Sequence, residues 1–191
     1  SDYDRQVRYD LAHGLQINAI LLGVPDFYGD GDSIQGLNEP IFFDGTDDPA
    51  LGKAINPANP WARFVYETVN RYKPGGELAT LADLPPGAGI RVWEVWNEPD
   101  LDDFWRGGPR DYARLLKVAY ITVKQADPQA QVMFGGLLYP TQRNFMASVL
   151  NLFANDPQAD DFNWYFDIAA VHSYADPWRS GWLVLYVRQT M

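Results

Sequence analysis

Val92-Trp93-Glu94-Val95-Trp96-Asn97-Glu98-Pro99 is the stretch that decides how the rest of this sequence is read. It follows the turn-forming Pro85-Pro86-Gly87-Ala88-Gly89 and opens as an apolar, aromatic and β-branched run, the composition of a buried strand. Proline has no N–H to give to a parallel ladder, so the strand must end at Asn97-Glu98 and pass into a loop. In α/β barrels and open α/β sheets, the carboxyl ends of parallel strands carry the chemistry. Asn97 and Glu98 are therefore the first candidate site residues.

Working outward, helices alternate with short apolar strands. Tyr3, Val7 and Leu11 share one face of an opening helix that closes at Gly14, and Ile17 to Leu22 reads as a buried strand. Asn59-Pro60 starts a second helix with Phe64, Val65, Thr68, Val69 and Tyr72 on its apolar side. Downstream of Pro99, helical spacing runs from Pro109 to Ala126, a strand from Gln131 to Gly136, and a helix from Thr141 to Ala154. A strand from Phe166 to Ser173 then brings His172 and Tyr174 to its carboxyl end, and the tail from Arg179 to Met191 reads as helix, with a strand as the alternative. Strand starts near residues 17, 91, 131 and 166 separated by helices predict an α/β fold with a parallel sheet.

Between Pro25 and Pro60 the sequence is rich in Gly, Pro and Asp, with Asp26, Asp30, Asp32, Asp44, Asp47 and Asp48. A loop of that length after a strand's carboxyl end belongs beside a site. Hard cations take oxygen ligands, but Asp30-Gly31-Asp32 lacks the spacing and closing Glu of an EF-hand loop. A solvated acidic loop, without metal, is the expectation.

The 191 residues carry a net charge of −10, which argues against nucleic acid and anionic membranes as partners. No apolar run reaches the length of a membrane span. Cysteine is absent, so disulfides are excluded and the redox compartment stays open. Nothing at the amino terminus reads as a leader; the chain opens as though mid-domain, and its localisation stays open. Seven Trp are many for this length; each is either a core ring or a flat apolar platform.

The Trp-Asn-Glu-Pro end of the central strand resembles the fourth strand of clan A retaining glycoside hydrolases. The fuller run Trp93 to Asp100 is most similar to family 39 and its relatives. Resemblance continues through Asp100-Leu101, Phe104-Trp105, Tyr112 to Lys117 and Asp127-Pro128. Gly135-Gly136 then looks like the fifth strand, and Val171-His172-Ser173-Tyr174 like the sixth. It implies one partial (β/α)8 TIM barrel over residues 1–191, holding strands three to six of eight.

The resemblance also implies roles. Glu98 becomes the general acid/base, and Asn97 the hydrogen-bond partner of the sugar 2-hydroxyl. His172 and Tyr174 hydrogen-bond the sugar or orient the nucleophile. Apart from the resemblance, Trp96 and Trp178 are candidate sugar platforms, with core packing as the alternative. No cofactor and no metal are called for, and the partner is a glycoside or oligosaccharide. Such chemistry needs a second carboxylate about 5–5.5 Å from the first. In clan A that Glu ends strand seven, which is expected to lie beyond Met191. Glu94, about 13 Å back along an extended strand, is expected to be a buried carboxylate satisfied by hydrogen bonds or an Arg; Asp176 is a weaker candidate. The alternative reading is a non-catalytic, carbohydrate-binding half barrel, or a homo-oligomer joined through its open sheet edges.

Overall fold

The computed structural model describes residues 1–25, 29–30, 33–139, 142–174 and 177–191. Its centre is a four-stranded, all-parallel sheet in the order β1-β4-β5-β6. These strands are Asn18–Leu21, Val92–Val95, Gln131–Leu137 and Ile168–Val171. Helices α1 (Asp2–Ala12), α2 (Pro60–Tyr72), α3 (Glu77–Leu81), α4 (Gly108–Ala126), α5 (Phe145–Phe153) and α6 (Pro177–Thr190) alternate with them. Two-residue strands β2 (Gly29–Asp30) and β3 (Ser33–Ile34) pair antiparallel after β1. The sheet is open, and its arrangement is consistent with part of a (β/α)8 barrel. No helix among the described residues is long and apolar enough to cross a membrane.

Local chemistry accounts for the elements. Asn59 caps α2 through its side chain, which accepts from the Ala62 N–H at 3.0 Å, and Pro60 supplies the preset first turn. In α4 the apolar positions Tyr112, Leu115, Leu116, Ala119 and Val123 face the sheet and α2 and are buried. Register is set directly: Asn18 pairs with Val92, Val92 with Gln131, and Met133 with Ile168. The β5–β6 ladder is interrupted between Phe134 and Leu137, across Gly135-Gly136.

Several boundaries differ from the sequence expectation. The fifth helix starts at Phe145, after Asn144, and β6 stops at Val171, so His172 and Tyr174 sit just past the strand. The tail is helical. The segment from residue 34 to 58 is no free acidic loop, because Ile34, Leu37, Ile41 and Phe42 are buried against the core and Phe42 bridges Ile55. Asp44, Asp47 and Asp48 are each held by a partner: Asp44 meets Lys53 at 2.7 Å, Asp47 is bonded by Arg114, and Asp48 accepts from the Gln158 amide. Asp26 and Asp32 lie outside the described residues.

Candidate active site

Beyond Val95 the backbone leaves strand geometry within one residue. Trp96 still gives its N–H to Leu21 O at 3.0 Å, extending the ladder, but it has φ +68°, and Glu98 has φ +43°. Two left-handed non-glycine residues around Asn97 are strain of the kind that clusters at functional sites. The turn is closed on its downstream side, where the Leu101 N–H bonds to Glu98 O at 2.9 Å.

That bend decides where the side chains go. Trp96 turns into the core, 8% exposed, gives its indole N–H to Phe104 O at 2.8 Å and packs edge-on to Trp105 at 5.1 Å. A sugar platform needs an open ring face, so the expectation of a platform at Trp96 is corrected: this ring is packing. Rings continue from Trp105 through Tyr112 to Phe134 and Phe145, forming an aromatic floor below the turn. Tyr112 also joins β4 to β5, its hydroxyl giving to Val95 O at 2.9 Å and taking from Gly135 N–H at 2.8 Å.

Glu98 turns the other way and is 3% exposed. His172 Nδ1 lies 2.9 Å from its Oε1, and the Tyr174 hydroxyl donates to the same oxygen at 3.0 Å. These partners are more than seventy residues away in sequence and meet Glu98 because β6 ends beside β5, one strand over from β4. The hydrogen bond to Glu98, then that carboxylate's charge, raises the Tyr174 phenol above its usual range. Tyr174 itself is largely exposed, a rim residue. Asn97 is half-buried at the apex of the turn. Trp178 is exposed on the first turn of α6, on the far side of residues 175–176. Asp176 lies outside the described residues.

Two buried acids frame the turn. Asp100 is fully buried and accepts the Leu138 N–H at 3.1 Å and the Tyr139 N–H at 2.5 Å, tying the turn after β4 to the end of β5. Burial pushes its carboxyl up despite those N–H donors. Sequence reasoning did not single out Asp100 as a support; its only trace was its place after Glu98-Pro99. Glu94, on β4, accepts from the Asn18 amide and the Gly136 N–H, each at 2.9 Å. It is a buried carboxylate satisfied by hydrogen bonds.

The geometry is thus a buried carboxylate at a parallel strand's carboxyl end, with a histidine and a tyrosine on one of its oxygens. A stretch of this chain is similar to β-xylosidases. Over 46 residues it is 44% identical to a β-xylosidase of Caldicellulosiruptor saccharolyticus, and equally to one of Geobacillus stearothermophilus. The match covers 22% of this chain and 9% of the length of each relative. No family model matches the chain. Among the described residues no group of three or more His, Cys, Asp or Glu is arranged to hold a metal.

Proposed function

We propose that these residues form the acid/base half of a retaining β-glycoside hydrolase of clan A type, carried on one partial (β/α)8 barrel. The observation that carries the reading is Glu98 itself. It is a dehydrated carboxyl on a strained turn, with His172 and Tyr174 on Oε1. Oε2 is the oxygen assigned to the leaving group. The partial likeness to β-xylosidases supports a sugar substrate, and a β-xyloside is the first to try.

In the first step Glu98 gives its proton to the glycosidic oxygen as the bond from that oxygen to the anomeric carbon breaks, and the bonding pair stays on the oxygen. A carboxylate on the opposite face forms the glycosyl-enzyme ester. In the second step Glu98, now a carboxylate, takes a proton from water, whose oxygen displaces the ester. Asn97 binds the 2-hydroxyl, His172 and Tyr174 hold Glu98 and the sugar, and Trp178 offers a ring at the rim. Glu94 and Asp100 are committed to buried N–H donors, so the nucleophile is assigned to a strand-seven Glu outside these residues. The reading calls for no metal and no cofactor.

The test is Glu98→Gln in the complete protein, assayed on aryl β-xylosides with good and poor leaving groups. Loss of a general acid lowers turnover by about 10²–10⁴-fold, and most for the poor leaving groups. An unaffected rate would sink the assignment.

One feature favours a second reading, a self-associating half barrel. β1 and β6 each have one strand neighbour, and Ile20 and Leu22 on the β1 edge are 45% exposed beside Phe64. A groove of about 1060 Å³ runs along this edge between α1 and α2 and includes neither Glu98 nor His172. Light scattering on the 191-residue chain decides it: a dimer supports association through that edge, and a monomer removes it.

A further inference from the structure

Glu94 is a buried carboxylate to which the acid/base reading gives no task. It points from β4 toward the same side as Glu98, and its two oxygens are pinned from both neighbouring strands. Oε2 takes the Asn18 amide of β1, and Oε1 takes the Gly136 N–H of β5, each at 2.9 Å. Oε1 also faces His172 Nε2 at 3.9 Å. The other ring nitrogen, Nδ1, lies 2.9 Å from Glu98 Oε1. One imidazole thus stands between two carboxylates, each 3% exposed.

The backbone makes room for that ring. A Cβ on Gly136 would lie 2.2 Å from His172 Nε2, so only glycine allows the imidazole to sit against β5. The ladder irregularity between Phe134 and Leu137 coincides with the Gly136 N–H turning to Glu94. His172 N–H, in turn, is fastened to Leu137 O at 2.9 Å.

We propose that Glu94 is a positioning residue for Glu98, acting through His172: it faces the Nε2 edge of the ring and so holds the Nδ1 edge against Glu98 Oε1. The inference rests on Glu98 being the acid/base. A histidine ring is oriented by whatever its second nitrogen meets. The charge that develops on Glu98 as its proton leaves then meets a ring fixed in place beside the Tyr174 hydroxyl, which donates to the same oxygen. The groups facing His172 are Glu94 from β4, Glu98 from the turn after it, and Tyr174 at a ring separation of 6.3 Å from its own segment. β5 contributes backbone only at Gly136.

The chain has two histidines, His13 and His172, so ¹⁵N-histidine labelling with His13→Gln assigns the ring signals. The ¹⁵N shifts of its two ring nitrogens report how His172 is held. In Glu94→Gln both should move, and Asn18→Ala, which frees one Glu94 oxygen, should move them less. In the complete protein, Glu94→Gln should lower kcat by about 10–100-fold with KM little changed, and Glu94→Asp should restore part of it. His172 signals that do not move in either variant overturn the inference even if Glu98→Gln abolishes turnover. A Glu98→Gln protein that keeps its rate overturns the glycosidase reading instead, whatever the His172 spectrum does.

Discussion

The acids of the segment between β3 and α2 and the acids around the end of β4 belong to one acidic chain and are treated in opposite ways. Asp44 meets Lys53, and Asp47 is gripped by Arg114, which also gives hydrogen bonds to Leu37 O and Glu39 O. Glu94, Glu98 and Asp100 are almost fully buried, and their partners are amides, backbone N–H groups, a tyrosine and a histidine. Among the described residues none of these three acids makes an ion pair with Lys or Arg. An acid locked to a permanent cation is built to stay ionised and hold structure. An acid buried among neutral donors costs stability when ionised, and is held by the geometry of those donors instead of by a countercharge. The comparison separates two uses of the same residue type.

The largest expected effect is a crossed one. Glu98→Gln should remove about 10²–10⁴ of turnover yet leave the melting temperature unchanged or raised, since stability and site chemistry trade against each other. A melting temperature that fell while activity survived would break the comparison.

Arg114→Met is the reverse experiment. Arg114 and Asp47 retain side-chain exposures of 17% and 24%. Removing one partner should therefore cost about 2–3 kcal/mol, less than the ~3–5 of a fully buried pair. Urea midpoints measure the loss, and turnover at saturating substrate should be kept.

Tyr112→Phe tests the joint between β4 and β5. It deletes one hydroxyl that serves Val95 O and Gly135 N–H, and leaves both unsatisfied in the core. A loss of about 1–3 kcal/mol is expected, read from the same denaturation curves. No loss would mean the strands are held together by their ladder alone.

The smallest effect distinguishes the two groups by sign. The Lys53 hydrogen bond, with help from Thr46, lowers the Asp44 carboxyl below its ordinary 3.8. Between the lowered folded value and 3.8 the unfolded chain binds more protons. The contribution of Asp44 is therefore present above about pH 4 and is lost as pH falls. Burial raises Asp100, so the folded state holds the extra proton above 3.8, and its contribution shrinks as pH rises through its folded value. Urea midpoints against pH should show a shallower acid-side loss in Asp44→Asn than in the parent; identical curves would count against the ion pair.

Much of the plan was legible in the chain. The four parallel strands follow from short apolar runs between helical repeats, and the stop of β4 from Pro99, because local propensity and hydrophobic period are properties of neighbouring residues. That His172 and Tyr174 share a strand end with room for Glu98 also followed, from the rule that parallel strands put their carboxyl ends on one side. For Trp96 the sequence left a core ring and a sugar platform both open. Its left-handed backbone turns the ring inward, and no pattern in the run Trp93 to Asn97 announces that. The acidic segment looked solvated because its cation, Arg114, is 67 residues away on α4. Glu94 read correctly as a satisfied buried acid, but its donors, Asn18 and Gly136, come from two other strands.

The sequence by itself therefore determined which residues become strands and helices, where β4 ends, and which carboxyl stands at that end. Only the tertiary structure decided that Glu98, His172 and Glu94 form one continuous line, that Asp100 braces it, and that Trp96 lies beneath it. The contacts of Glu94, Glu98 and Asp100 join segments 38 or more residues apart in the chain. Their partners are chosen by sheet register and packing, which local sequence does not encode.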